Sequence, residues 1–314
     1  MKFKKPKFWD LHKPNFLSYL MQPLTLPIRI SNFFLNQKKN KKNHKIKTIC
    51  IGNIYLGGTG KTPTTIKLYK IFKKLGLNVS TAKKFYTSHF DEINILKNNS
   101  KLILEKNRKK IIDIAENKNL DLIIFDDGLQ DKTISYNIQL VCFDTESWIG
   151  NGCLIPSGPL REALNSLKKY DAVFLKNSDN NLEEKISILK KYNSSIKFFI
   201  TYYKPTNLND FDLSKKYIIF SGIGNPQNFN KLLKKNKFNI VEEIIFPDHM
   251  NYSVNDIESL TKRSKELNAE LITTEKDYVK ISKIGPTNIK FLKIELNLID
   301  EENLISFLKS KIYE

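Results

Sequence analysis

Cysteine, methionine and tryptophan are scarce in this 314-residue sequence, at 3, 3 and 2 residues, and there are only 4 histidines. Cys50, Cys142 and Cys153 form no close pair, and the first two lie inside apolar runs. They are expected to be reduced core residues in a cytosolic environment, not a disulfide framework. Acidic residues are also short: 33 Asp+Glu stand against 52 Lys+Arg, a formal net charge of +19. That excess has two readings, a lysine-rich solvated surface or attraction to nucleic acid, anionic lipid or a phosphorylated substrate. No zinc-finger spacing, RNP-like aromatic block or basic-region heptad is present, so no nucleic-acid partner is expected.

A long uninterrupted apolar run is missing too. The most apolar stretch, "FLSYLMQPLTLPIRISNFFL" at Phe16 to Leu35, is broken by Pro23 and Pro27 and carries Arg29. It has no small-residue cleavage site, which argues against a signal peptide, and it is too interrupted for a spanning helix. Lysine clusters, "MKFKKPKFW" and "QKKNKKNHKIK", flank it. Such a segment suits a membrane interface, with lysines reaching anionic headgroups. The alternative is an amphipathic helix packed on the domain.

What is present is an alternation of short apolar runs with helical patterns, which predicts an α/β fold with a mostly parallel sheet. "KTICI" reads as a buried strand, followed by a glycine-rich loop and a helix to about Leu75 that Gly76 closes. Further strands are expected at "NVSTA", "KLILE", "LDLIIFDDG", "IQLVCFD", "YDAVFLK" and "SIKFFITYY", with a helix around Ile111 to Asn117. A second α/β unit starts near "KKYIIFSGIGNP", with strands at "YIIFS", "VEEIIF", "AELITT" and "IKFLKIEL" and a last helix from about Glu302. The aperiodic "KPTNLNDFDL" marks the boundary. The expected organisation is a membrane-associating helical segment over 1–45, a phosphate-loop domain over 46–205 and a smaller α/β domain over 206–314.

The chemistry begins at "GNIYLGGTGKTP", Gly52 to Pro63. Between a strand and a helix, Tyr55, Leu56, Gly57, Gly58, Thr59, Gly60, Lys61 and Thr62 read as a nucleotide-binding loop. Glycines let backbone N–H groups close on phosphate oxygens, and the helix aims its positive end at them. Lys61 can reach the β- and γ-phosphates and Thr62 can bind Mg²⁺. Tyr55 stands where the usual pattern has its first glycine, but the residues nearer Lys61 build most of the cradle. "LIIFDDG" then offers Asp126 and Asp127 at a strand end as metal-holding acids. Transfer or hydrolysis of a γ-phosphate follows, with the acceptor open. "GNGCLIPSGPLRE" brings Arg161 and Glu162 together after a proline turn, and "FPDHMNY" offers Asp248 and His249. Positive groups suit phosphoryl oxygens, and a histidine can act as a base or orient one.

In combination, "GNIYLGGTGKTP", "DDGLQ", "GNGCLIPSGPLRE", "SGIGNP", "FPDHMNY" and "TTEKDYVK" resemble, in order and over nearly the whole chain, the tetraacyldisaccharide 4'-kinase family. The resemblance implies a P-loop NTPase-type α/β/α domain joined through a hinge to a smaller α/β domain. It implies transfer of the γ-phosphate of ATP, with Mg²⁺, to the 4'-hydroxyl of a tetraacylated glucosamine disaccharide 1-phosphate in lipid A biosynthesis. The location it implies is peripheral, at the cytoplasmic face of the inner membrane of Gram-negative bacteria, on an anionic surface. By motif, Lys61 and Thr62 take phosphate and Mg²⁺, Asp126 and Asp127 match the acidic pair, and Glu162 matches the acid of "LRE". His249 matches the histidine that supports a catalytic aspartate. That aspartate is Asp91 in "HFDEINIL", and Tyr55's place is normally not glycine in the family either.

The sequence departs from the family around that aspartate. "KKFYTSHFDEI" puts Lys83 or Lys84 near the usual arginine as a phosphate or substrate contact, lacks the family's glycines and has a short connection. Phe90 and Ile93 flank the acids where glycine and proline are usual, and Asp131 stands where histidine is common. The rival readings are a P-loop ATPase or kinase with a soluble acceptor, a membrane-bound nucleotide switch, and a family member inactivated by these changes.

Overall fold

The computed structural model describes residues 5–37, 44–86, 90–131, 133–176, 181–248, 250–285 and 288–313. Two short helices lead, α1 (Phe16–Met21) and α2 (Leu26–Gln37). There follow β1 (Lys47–Gly52), α3 (Lys61–Lys74), β2 (Val79–Lys84), α4 (Phe90–Asn99), β3 (Leu102–Glu105), α5 (Arg108–Asn117), β4 (Leu122–Asp126), β5 (Ile138–Asp144), β6 (Ala172–Lys176), α6 (Leu182–Lys190) and β7 (Lys197–Pro205). Next come β8 (Lys216–Ser221), α7 (Pro226–Lys235), β9 (Asn239–Ile245), α8 (Val254–Glu266), β10 (Ala269–Thr274), α9 (Glu275–Ile281), β11 (Lys290–Leu292), β12 (Ile294–Leu298) and α10 (Glu301–Tyr313).

The chain divides into two compact units, one of residues 1–88, 96–202 and 298–314, the other of 89–95 and 203–297. This differs from the continuous ranges expected above. Residues 298–314 return to the first unit because Leu304, Leu308 and Ile312 of α10 share a core with Leu68, Ile71 and Phe72 of α3. Residues 89–95, the first turns of α4, belong to the second unit.

The eight-stranded sheet, most of which belongs to the first unit, has the order β12-β7-β6-β5-β1-β4-β2-β3. β1 pairs in parallel with both β4 and β5. Strands such as "LIIFD" are buried along their whole length, as a parallel sheet covered on both faces requires. Strand alternation divides the core. Cys50, Ile123, Phe125, Val141 and Phe143 meet Ile111, Ile112 and Ala115 of α5 on one face. Ile49, Ile51, Ile124, Leu140 and Cys142 meet α3 and α10 on the other. The result is the expected α/β/α layering.

The second unit repeats the plan on a smaller scale, with an all-parallel sheet in the order β11-β10-β8-β9. Tyr217 and Ile219 pack with Phe229 and Leu233 of α7. Ile218 and Phe220 pack with Ile257 and Leu260 of α8 and Ile281 of α9. "IKFLKIEL", expected as one strand, is two strands in two different sheets. The break falls at Lys293, whose backbone N–H donates to Asn207 Oδ1 at 2.8 Å and whose carbonyl accepts from Thr206 N–H at 3.0 Å.

No helix among the described residues is long and apolar enough to cross a membrane. The amino-terminal helices nevertheless present Phe16, Tyr19, Leu20, Leu24, Leu26 and Phe33 to solvent, each more than half exposed. Their other side is fastened to the "GNGCLIPSGPLRE" loop. Trp9, 1% exposed, donates its indole N–H to Pro156 O at 3.0 Å. The Asn151 N–H donates to Trp9 O at 3.0 Å, and its side-chain amide donates to Ser18 Oγ at 2.8 Å. Ser157 Oγ donates to Ser18 O at 2.6 Å.

Candidate active site

The phosphate loop leaves β1 between its two sheet neighbours, at the carboxyl edge where α/β sheets place ligands. Gly57 and Gly60 sit at φ 153° and 85°, conformations that residues with a Cβ rarely adopt, so the sequence "GGTG" is what lets the chain turn into α3 here. Gly60 O accepts the N–H of Thr64 at 3.0 Å and its hydroxyl at 2.8 Å, which starts the helix. Lys61 and Thr62 therefore occupy the first turn, at the positive end of the helix dipole. Thr59 Oγ1 and Asn53 Oδ1 are buried without a hydrogen-bond partner among the described residues. Unpartnered polar atoms in such a loop suit a ligand that supplies them.

Asp126 lies beneath this loop because β4 pairs with β1, register partner Ile51, and with β2, register partner Lys83. Its Oδ2 accepts from Thr62 Oγ1 at 3.0 Å and from Lys83 Nζ at 2.6 Å, and its Oδ1 accepts from Thr65 Oγ1 at 3.2 Å. Lys83 is 2% exposed. Lys83, expected as a phosphate or substrate contact, is here paired with Asp126. Lys84 reaches Asp131 Oδ2 at 3.8 Å.

Asp127 turns the chain at φ 58° and donates its backbone N–H to Ile51 O at 2.8 Å. Its carboxylate is 3.9 Å from Lys61 Nζ and 3.5 Å from an Arg161 nitrogen. Gln130 joins the remaining pieces by donating to Asn53 O at 2.9 Å and to Glu162 Oε1 at 3.0 Å. Glu162 Oε2 also accepts from Tyr170 OH at 3.0 Å. Thus "GGTGKT", "DDGLQ" and "LRE" converge in one unit. Tyr55, expected in the nucleotide loop, has its side chain buried and accepts from Lys5 Nζ at 2.6 Å; Leu56 N–H donates to Pro159 O at 2.8 Å. These two anchor the loop's entry.

Sequence reasoning missed Arg108. Buried at the start of α5, it donates to Asp127 O at 2.8 Å and meets Asp131 Oδ2 at 2.6 Å. Burial works against the charge of Asp131, but hydrogen bonds from Thr133 and the Arg108 and Lys84 charges hold its carboxyl below the usual range. The position that departs from the family is thus filled by an ion-paired acid. Only the contact network, not the spacing, could have flagged Arg108.

In the second unit, Asp91 lies in the first turn of α4 and is 3% exposed. Its Oδ2 is 3.4 Å from Lys276 Nζ and 3.7 Å from Lys280 Nζ. Lys276 Nζ is also 3.7 Å from Asp248 Oδ1. His249 lies outside the described residues.

Residues 16–313 match the family model described as LpxK, tetraacyldisaccharide-1-P 4'-kinase. The chain belongs to the tetraacyldisaccharide-1-P 4'-kinase family. It is therefore an enzyme of the kinase class, in lipid A biosynthesis. A tetraacyldisaccharide 4'-kinase of Pelagibacter ubique is 42% identical over 308 residues, 98% of each chain. One from Rickettsia canadensis is 36% identical over 335 residues, covering 100% of this chain and 99% of its own. The crystal structure of LpxK from Aquifex aeolicus, described as an "apo" form in complex with ATP, superposes with a TM-score of 0.71 at 22% identity. It covers 95% of this chain and 100% of its own, which shows the shared fold.

No group of three or more His, Cys, Asp or Glu side chains that could hold a metal occurs among the described residues. What the loop does offer is the Thr62 hydroxyl against the Asp126 carboxylate, with Asp127 next in the chain, and one or two carboxylates beside phosphate and water are what Mg²⁺ takes.

Proposed function

We propose that this family member uses Mg²⁺–ATP to phosphorylate the 4'-hydroxyl of a tetraacylated glucosamine disaccharide 1-phosphate. The carrying observation is the Gly57–Thr62 cradle, with Lys61 in the first helical turn and the Thr62 hydroxyl on the buried Asp126. The loop N–H groups hold the β- and γ-phosphate oxygens, and Lys61 and Arg161 set positive charge against them. Thr62, Asp126, Asp127 and Glu162 would hold Mg²⁺, which neutralises charge on the phosphates when bound.

The acceptor oxygen bonds to the γ-phosphorus as the bond to the β–γ bridging oxygen breaks and ADP leaves. Asp91 takes the hydroxyl proton, and His249 orients Asp91. The exposed apolar face of the amino-terminal helices, flanked by lysines, supports peripheral attachment to the anionic cytoplasmic face of the inner membrane.

The test is transfer of labelled γ-phosphate to a detergent-dispersed tetraacylated disaccharide 1-phosphate, with wild type beside Asp91→Ala. Robust transfer that the substitution abolishes is expected. Transfer surviving in Asp91→Ala removes the base from the scheme. Absence of transfer by a folded, ATP-binding wild type redirects the search to another acceptor, as a soluble-acceptor kinase or a nucleotide switch would require.

A further inference from the structure

The stretch "TTEKDYVK" has no part in the scheme above, yet its helix is built with care. Thr274 caps α9: its hydroxyl accepts the Asp277 N–H at 3.2 Å and donates to Asp277 Oδ2 at 2.8 Å. The fully buried Asp277 also accepts the Gly222 N–H at 2.9 Å. These bonds tie the start of α9 to the "SGIGNP" loop and fix the helix in rotation as well as position. The i, i+4 spacing then sets Lys276 and Lys280 one above the other. Both ammonium groups converge on a single oxygen, Asp91 Oδ2, at 3.4 and 3.7 Å.

Each lysine is shared. Lys276 also faces Asp248 at 3.7 Å, and Lys280 faces Asp277 at 3.5 Å. Glu92, beside Asp91 on α4, adds to the negative field at Lys276. Burial disfavours the Lys276 charge, but Asp248, Asp91 and Glu92 outweigh it and hold the ammonium above its ordinary value. On the residue before Asp91, the Phe90 ring lies under Lys283, whose Nζ is 3.2 Å from the centroid.

We propose that Lys276 and Lys280 are positioning residues for the acceptor step, holding the buried Asp91 carboxylate ionised and fixed in direction. Lys276 further couples it to the turn that carries Asp248. The proposal rests on the reading of Asp91 as the base. The physical argument is that burial favours the neutral form of a carboxyl unless cations oppose it, and a protonated aspartic acid cannot take the hydroxyl proton. Two lysines, each divided between two acids, keep it charged at moderate cost to its basicity.

The test is the pH profile of lipid phosphorylation by full-length Lys276→Met, Lys280→Met, Lys276→Arg and Asp91→Asn beside wild type. The nucleotide's own titration is common to all, so differences between profiles are read. In Lys276→Met the acid limb is expected to move up by about 1 unit, as loss of one nearby opposite charge implies. Transfer then falls about tenfold on the acid side and returns toward wild type in alkali, with KM for ATP unchanged. Lys280→Met reads the same limb independently, and Lys276→Arg restores it.

An unmoved limb with a raised KM for the lipid would make the lysines substrate contacts and overturn the proposal. Equal loss at every pH without rescue by arginine would make them structural and overturn it too. Normal transfer by Asp91→Asn would instead remove the base reading on which the proposal stands.

Discussion

Two buried carboxylates, one in each unit, are paired with lysines by different means. Asp126 ends a central strand, and sheet register alone brings Lys83 beside it from the neighbouring strand while α3 adds two hydroxyls. Asp91 begins a helix, and its two lysines come from α9, which depends on a cap network for its orientation. A sheet fixes a charge through its ladder, so the first arrangement is rigid. The second is adjustable, because each lysine has an alternative acid. That contrast fits their proposed tasks: one site grips phosphates, the other receives a proton from an incoming hydroxyl.

Substitutions that separate gripping from proton acceptance break the comparison most directly. Asp91→Ala is expected to lower kcat by about 10²- to 10⁴-fold while ATP affinity stays put. Lys61→Ala, at the helix N-terminus, is expected to lower transfer by about 10²- to 10³-fold and to weaken ATP binding as well. Calorimetry of ATP binding beside single-turnover transfer distinguishes them. Matching losses of affinity in both variants would abolish the division of labour.

Stability should show the same asymmetry. Lys83→Met leaves the fully enclosed Asp126 without its cation, at a cost of about 3–5 kcal/mol in urea unfolding. Lys83→Met combined with Asp126→Leu should cost less than the sum of the two single changes, since both charges leave together. Lys276→Met should cost less than Lys83→Met, because Lys276 is 21% exposed and Asp91 keeps Lys280. Equal costs would mean that rigidity does not distinguish the two sites.

The same difference explains what the sequence disclosed. Asp126 was legible because a four-residue apolar run into "DDG" announces a strand end, and strand ends face sites in α/β sheets. Its pairing with Lys83 was not legible, because register between strands separated in the chain has no local signal. Asp91 looks like any acid in a first helical turn. Only the family resemblance raised it, and nothing local joins it to "TTEKDYVK". The layers and most strands were legible from apolar runs. The return of α10 to the first unit was not, because amphipathic spacing states that a helix packs, not against which sheet.

The amino-terminal helices offer the contrast in miniature, with one side anchored and the other bare. Phe16, Leu20 and Leu24 are 78%, 64% and 62% exposed. Replacing all three with serine should change stability by no more than about 0.5 kcal/mol per site. Binding to vesicles of anionic lipid should weaken about 10³-fold if all three are fully buried there, given about 1.5–3 kcal/mol for each large side chain. Retained vesicle binding, read by co-sedimentation, would assign attachment to the lysines alone.

A smaller effect concerns Asp131, where the folded state holds the carboxyl below its unfolded value. Its stabilisation is complete above the unfolded value, about 3.9, and is lost as pH falls through the folded one. The gap in urea midpoint between wild type and Asp131→Asn should be constant near neutrality and close in acid. A gap of constant size down to the acid limit would mean that Asp131 contributes no charge.

The two sheet faces of the first unit supply the finest comparison. Cys50 lies in the core cluster that includes α5, and Cys142 in the one that includes α3 and α10. Burial pushes the Cys142 thiol up to about 12, against a weak hydrogen bond to Thr64. The thiolate is the form that attacks thiol reagents, so neither buried cysteine should react in the native protein, while the half-buried Cys153 reacts slowly. The informative quantity is then the labelling rate of Cys50 against that of Cys142. If the layers form one cooperative unit, both thiols appear at the rate of global unfolding. Faster labelling of Cys142 would show α10, which reaches its sheet only after the chain has passed through the second unit, detaching ahead of the rest.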